Sequence, residues 1–140
     1  MIYADTSFLL PLYLLDKHSP DAQQRMRIRP ALFLTPFQRA ELVNAIFQSV
    51  FRTRISEQEA QLVLKDFEQD SHSGLWLNAS VSEMAFTRCE TLARKHVSTL
   101  GVRTLDSLHV ACALELGAKE FWTFDQRQAR LAEAEGLQIN

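Results

Sequence analysis

The chain has 140 residues, 46% of them hydrophobic and 23% charged, with a formal net charge of −2. That length suits one domain with a respectable core, and the composition is that of an ordinary globular protein rather than a disordered or fibrous one. The slightly negative balance excludes a broadly basic nucleic-acid binder, so a polyanionic partner has to meet a local basic patch or a bound cation.

Short apolar runs alternate with longer stretches of helical periodicity, the pattern of an α/β fold with a parallel sheet. Ile2–Ala4 reads as the first strand, closed by Asp5, and a helix follows from about Phe8 to Asp16 with Pro11 in its first turn. Asp21 to Arg29 reads as a second short helix and Ala31–Leu34 as a fully buried strand. Thr35-Pro36 opens the next helix with an N-cap and a proline at the first helical position, and that helix runs to roughly Arg52. Ser56-Glu-Gln-Glu59 is a capping box, starting a helix that continues to about Asp70. Leu75–Asn78 is a third strand, and Ser82 to His96 and Thr104 to Leu116 are helical, with Gly117 as the stop. Lys119–Phe124 is a fourth strand, Gln126 to Glu135 a helix and Leu137–Asn140 a short last strand. No repeat or linker interrupts the series, so a single domain over residues 1–140 is expected.

Cys89 and Cys112 are too few and too far apart for a disulfide framework or a cysteine metal site, and both fall in helical patterns as small hydrophobes. Met-Ile-Tyr-Ala-Asp lacks the basic start of a secretory signal. The apolar run Phe8–Leu15 contains Pro11, ends at Asp16-Lys17 and is too short to span a bilayer. The expectation is a soluble, cytoplasmic chain with no membrane contact.

Function in an open parallel sheet collects at the carboxyl ends of the strands. Asp5 follows the first strand and Asp125 follows Lys119–Phe124, so both belong to that edge. Glu41 lies five residues beyond Pro36, roughly 7–8 Å along the helix axis, and helical side chains lean back toward the N-terminus. The helix Leu105–Leu116 spans roughly 18 Å and the strand Lys119–Phe124 roughly 20 Å. Joined by Gly117-Ala118, the two nearly match, which returns Asp106 to the side of Asp125.

Two carboxylates about 4 Å apart repel by roughly 4 kcal/mol at an effective dielectric near 20, so such a cluster wants protons or a cation. Oxygen ligands without a Cys or His cluster suit Mg²⁺ or Mn²⁺ rather than Zn²⁺. A carboxylate-bound divalent ion is the usual apparatus for phosphodiester hydrolysis.

Ile-Tyr-Ala-Asp-Thr-Ser at residues 2–7 resembles the opening of a PIN domain. Arg-Ala-Glu-Leu-Val-Asn-Ala (39–45) is similar to that family's second acidic motif, Leu-Asp-Ser-Leu-His-Val-Ala (105–111) to its third and Phe-Trp-Thr-Phe-Asp (121–125) to its fourth. The resemblance covers the whole chain in order, with all four acidic positions filled, while the stretch Thr53 to Ser80 carries nothing diagnostic. It implies a three-layer α/β/α fold around a parallel sheet of four to five strands. It further implies a VapC-like endoribonuclease using Mg²⁺ or Mn²⁺, the toxin of a type II toxin–antitoxin pair, with Asp5, Glu41, Asp106 and Asp125 as catalytic and metal-ligating residues. RNA over DNA rests on this resemblance alone.

Around the acids, Thr6, Ser7 and Thr123 are expected to hydrogen-bond the carboxylates or their waters, and Asn44 shares a helix face with Glu41. Ser7 is equally suited to capping the first helix. Arg103, beside the Asp106 motif, is the candidate for touching RNA or an antitoxin tail. His109 reads as a packed, hydrogen-bonded core residue rather than a ligand, and His18, His72 and His96 have no evident partner. Arg25, Arg27, Arg29, Arg52 and Arg54 are more often solvated helix faces than phosphate grips. Phe8, Tyr13, Phe47 and Phe51 recur at helical spacings; core packing is their default, and any left outside make a homodimer face or a groove for an antitoxin helix. A homodimer is expected.

Two alternatives stand beside this reading. Asp5 and Asp125 each precede a helix and fit ordinary N-caps, and Asp106 suits a first helical turn, which leaves a non-catalytic α/β protein-binding module open. The other is a PIN nuclease of RNA processing without an antitoxin. A haloacid-type phosphatase wants a second Asp where Ser7 stands, a receiver domain wants paired acids near the first strand, and no Gly-rich phosphate loop is present.

Overall fold

The computed structural model describes all 140 residues. Five short strands, β1 (Ile2–Ala4), β2 (Leu32–Leu34), β3 (Trp76–Asn78), β4 (Glu120–Trp122) and β5 (Gln138–Ile139), form one parallel sheet in the order β3-β2-β1-β4-β5. Tyr3 pairs with Phe33 on one side and Phe121 on the other, so β1 is buried in the middle of the sheet. Strands buried on both faces read as unbroken apolar runs, and Ile-Tyr-Ala, Leu-Phe-Leu and Glu-Phe-Trp are nearly that.

Side chains alternate across each strand. Ile2 and Ala4 face one core with Phe8, Leu9, Leu42, Ile46 and Phe67. Tyr3 faces the other with Phe33, Val110, Phe121 and Leu131. Helices α1 (Thr6–Tyr13), α2 (Ser19–Met26), α3 (Pro36–Phe51) and α4 (Glu57–His72) supply the first core. Helices α5 (Glu83–Leu92), α7 (Thr104–Glu115) and α8 (Gln126–Ala134) supply the second. The result is the expected α/β/α arrangement. No helix is long and apolar enough to cross a membrane.

Several boundaries differ from the sequence reading, each for a local reason. The first helix begins at Thr6 because Asp5 caps it, which puts Pro11 in the helix body rather than its first turn. The second occupies Ser19–Met26, with Pro20 in its first turn, and the chain beyond it bends at Arg29, whose φ is 48°. The helix expected to end at His96 continues through a π-helical turn (Ala93–Val97) and a short α6 (Ser98–Leu100) to Gly101, whose left-handed φ of 62° ends it. The strand β4 has three residues instead of six because its neighbours β1 and β5 offer no longer ladder.

The connections run β1 to β2 to β3 in one direction, then return to place β4 against the opposite side of β1. Strand order therefore reverses between β1 and β4, and the crevice beyond their carboxyl ends is the natural binding position of such a sheet. Buried Gln38 in α3 closes this end: its Nε2 donates to the carbonyls of Ala4 (2.6 Å) and Phe33 (3.2 Å).

Candidate functional site

Asp5 leaves β1 at that crevice and caps α1, its Oδ1 accepting the Phe8 N–H at 3.1 Å. Ser7 Oγ lies 2.8 Å from Oδ1, and Thr123 Oγ1 donates to Oδ2 at 2.8 Å. Ser7 thus turns back onto Asp5 instead of capping the helix itself. Asp5 as a whole is 1% exposed. Burial pushes its pKa up, and the opposing pulls of His109, Ser7, Thr123 and the Phe8 amide do not bring it back to the ordinary value.

Glu41 reaches back from the second turn of α3 as its helical direction requires. Its Oε2 accepts both Thr6 Oγ1, at 2.6 Å, and His109 Nε2. Its Oε1 takes part in no hydrogen bond with the protein. Burial opposes its charge, yet the hydrogen bond and charge of His109, the Thr6 hydroxyl and the Arg103 cation together hold its pKa below the usual glutamate value. Beside it opens a cleft of about 410 Å³ lined by Thr6, Phe37, Ala40, Glu41, Asn44 and Leu105. Asn44 is exposed on this rim and forms no hydrogen bond to Glu41.

Asp106 sits in the first turn of α7, where an acid is favoured by the helix dipole. Its Oδ2 accepts the Arg103 backbone N–H at 3.2 Å and Arg103 Nε at 3.1 Å, and Gln128 Nε2 lies 3.4 Å from Oδ1. Asp125 caps α8, accepting the N–H groups of Arg127 (2.7 Å) and Gln128 (3.1 Å) on Oδ1. Its own N–H donates to Thr123 Oγ1 at 2.9 Å. Asp125 lies three residues beyond β4 rather than directly after a strand, yet Thr123 links it to Asp5 and Gln128 links its helix to Asp106.

The four acids therefore occupy one edge, but they are not a preformed chelate. No three Asp, Glu, His or Cys side chains converge closely enough to hold an ion between them. Three of them share the influence of Arg103: its bond to Asp106 and the charges of Asp106, Asp125 and Glu41 push its pKa further up. An exposed guanidinium here supplies the positive charge that the cluster demands. Its side chain is 78% exposed, and a surface pair of this kind contributes only about 0–1 kcal/mol, so it leaves at little cost. The oxygen-only donors and this stand-in cation fit a hard divalent ion.

Two residues with no signal in the sequence, Gln38 and Gln128, and one unforeseen partner of His109 matter here. His109 is a buried, hydrogen-bonded core residue as expected, but one of its partners is Glu41; their separation of 68 positions hides the pairing. Gln38 and Gln128 brace the crevice from the first turns of their helices, and a buried glutamine has no periodic signature. His96, without an evident partner in sequence, meets Glu135 at 2.6 Å. Of the basic residues before Pro30, Arg25 pairs with Asp21 and lies over Phe8, Trp122 and Phe124, which accounts for its charge structurally. Phe8 is core, whereas Phe51 is left 83% exposed.

A family model described as PIN domain matches residues 2–134 of the chain. Among curated proteins, no sequence matches it. Among solved structures, Mycobacterium tuberculosis VapC20, a sarcin–ricin loop cleaving toxin, superposes with a TM-score of 0.71 at 15% identity, over 93% of this chain and 94% of that one. FitAcB from Neisseria gonorrhoeae superposes with a TM-score of 0.69 at 17% identity, over 99% and 96% of the two chains. VapBC2 from Rickettsia felis, bound to a DNA fragment from its promoter, gives 0.68 at 15% identity, over 100% and 98%. At these identities the structural likeness speaks for the fold.

Proposed function

This chain belongs to the PIN-domain family, and from that premise we propose that it is a metal-dependent endoribonuclease, the toxin of a toxin–antitoxin pair. The observation that carries the reading is the meeting of acids at the strand-order reversal, where Thr123 bonds both buried Asp5 and Asp125, Gln128 reaches from the α8 first turn to Asp106, and Arg103 pairs with Asp106. Such an edge calls for positive charge, and the family and the residue types together make Mg²⁺ or Mn²⁺ the candidate.

Asp5, Glu41, Asp106 and Asp125 are the residues that would hold the ion. When bound, it supplies Lewis acidity toward a phosphate oxygen and a water acidified enough to act as nucleophile. The chain itself orients the groups: Ser7 and Thr123 hold the Asp5 carboxylate, Thr6 and His109 fix one oxygen of Glu41, and Gln128 braces Asp106. Arg103, released from Asp106, would meet a backbone phosphate of the RNA.

The toxin role is supported by the fold shared with VapC20 and with VapBC2 from Rickettsia felis. In this reading a cognate antitoxin covers the acidic edge, the toxin acts as a homodimer in the cytoplasm, and the antitoxin holds cleavage in check. A non-catalytic protein-binding module is favoured by two observations: Asp5 and Asp125 both serve as helix caps, and no three acidic side chains converge as a preformed chelate.

The test is cleavage of labelled cellular RNA with Mg²⁺ or Mn²⁺, beside an EDTA control and the Asp5→Asn variant. Cleavage abolished in both controls is expected. Cleavage that persists in EDTA or in Asp5→Asn sinks the site assignment, and folded, partner-free protein that cuts nothing favours the binding module.

A further inference from the structure

His109 stands on a helix whose neighbours Leu108, Val110, Ala111 and Cys112 are all buried, and it is itself only 2% exposed. An imidazole there is tolerated only if its ring nitrogens find partners. Both do: Nδ1 lies 3.0 Å from the Tyr3 hydroxyl, and Nε2 meets Glu41 Oε2. The ring is also wedged between aromatics, edge-on to Tyr3 at 5.8 Å and tilted against Phe37 at 4.5 Å. Tyr3 is wholly buried in the central strand, so its hydroxyl is a fixed point of the fold.

The direction of the hydrogen bonds follows from the ends of the chain. An ionised carboxylate only accepts, so Nε2 carries a proton and donates to Glu41, and the Tyr3 hydroxyl donates to Nδ1 when the ring is neutral. Thr6 donates to the same Oε2. Two donors from different elements therefore converge on one oxygen of Glu41, and the terminal torsion of a glutamate, otherwise soft, has a single setting. The other oxygen is left without a protein partner, on the side chain's 23% of exposed surface.

We propose that His109, anchored by Tyr3, is a positioning residue that binds one oxygen of Glu41 and so presents the other to a divalent cation. The inference rests on the nuclease reading above. Outer partners of a metal-ligating carboxylate typically govern affinity by 10–100-fold. Freed of His109, Glu41 turns toward Arg103, whose charge already acts on it.

Two variants of equal polarity separate this role from simple packing. In His109→Gln the amide nitrogen takes the place of Nε2 and keeps the bond to Glu41 while losing Tyr3. In His109→Asn the amide oxygen takes the place of Nδ1 and accepts the Tyr3 hydroxyl, keeping Tyr3 and losing Glu41. Mn²⁺ binding, read from the electron paramagnetic resonance of free Mn²⁺, is measured on folded, antitoxin-free protein alongside urea unfolding. We expect His109→Gln to bind Mn²⁺ within a few-fold of wild type and His109→Asn to bind about 10–100-fold more weakly, even where the two unfold at the same urea concentration. Equal Mn²⁺ affinities in the two variants overturn the proposal while leaving the nuclease reading intact. Wild-type protein that binds no Mn²⁺ and cuts no RNA overturns both. Wild-type protein that binds and cuts, with the two variants separated as above, supports both.

Discussion

Thr123 Oγ1 donates to Oδ2 of Asp5 at 2.8 Å, across 118 positions of sequence, and the same oxygen accepts the backbone N–H of Asp125 at 2.9 Å. One hydroxyl thus joins the ends of β1 and β4 and sets the orientation of two acids at once. Asp5 owes its place to a strand end and Asp125 to a helix cap; Thr123 is what relates them.

Thr123→Val keeps the shape and removes both bonds. The Asp125 N–H is left without a partner and Asp5 Oδ2 keeps only Ser7 Oγ, at 3.0 Å; this costs about 1–3 kcal/mol, and a loosened Asp5 lowers metal-dependent cleavage at least about tenfold. Urea unfolding and initial rates at saturating Mn²⁺ measure the two effects. Full activity in a destabilised variant would confine Thr123 to a structural role.

Gln38 offers a contrast in which stability moves first. Its amide nitrogen serves the Ala4 and Phe33 carbonyls while its oxygen accepts the Thr35 N–H at 2.7 Å. Gln38→Leu strands three buried backbone groups and is expected to cost about 2–4 kcal/mol, toward the upper range for single substitutions. For a chain of this size that lowers the melting temperature by roughly 6–15 °C. A melting temperature within two or three degrees of wild type would mean that water replaces the side chain.

Much of the fold was legible because its signals are local. Thr35-Pro36 and the Ser56–Glu59 capping box start helices where they stand in sequence. Asp5 following Ile2–Ala4 announces the central strand's end. The length of β4 was not legible, since it depends on how far β1 and β5 extend beside it. The same holds for the site. The four acids are visible one motif at a time, but His109 bonding to Glu41, or Gln128 reaching Asp106, follows only once α3, α7 and α8 have packed. Asn44 errs in the other direction: a helical spacing of three from Glu41 puts it on the same face without giving it a bond.

Arg103 contacts Asp106 from an exposed position, so Arg103→Ala is expected to change stability by no more than about 1 kcal/mol. Its effects on function have opposite signs. With the resident cation gone, Mn²⁺ binds a few-fold more tightly. With the phosphate contact gone, the KM for RNA rises and the slope of log affinity against log salt falls by about one. Calorimetric Mn²⁺ titration and a salt series on an RNA oligonucleotide separate the two. An unchanged salt slope would remove Arg103 from the substrate surface.

Asp5 yields a prediction in metal-free protein. Burial raises its folded pKa above the ordinary value of 3.8, so between that value and the folded one the native state holds more protons than the unfolded chain. Stability contributed at this position is fully present below 3.8, is lost as pH rises through the folded pKa, and stays lost above it. Asp5→Asn has no charge to bury and escapes the loss. In EDTA, therefore, thermal melts should find the variant gaining on wild type as pH rises from 3.5 to 7. Added Mn²⁺ reverses the order, because a ligand at 100 times its Kd stabilises the native state by about 2.7 kcal/mol and the variant lacks the charge to recruit it. If the gap between the two proteins in EDTA is the same at both pH values, burial is not penalising this carboxylate, and the hydrogen bonds from Ser7, Thr123 and Phe8 suffice to hold it ionised.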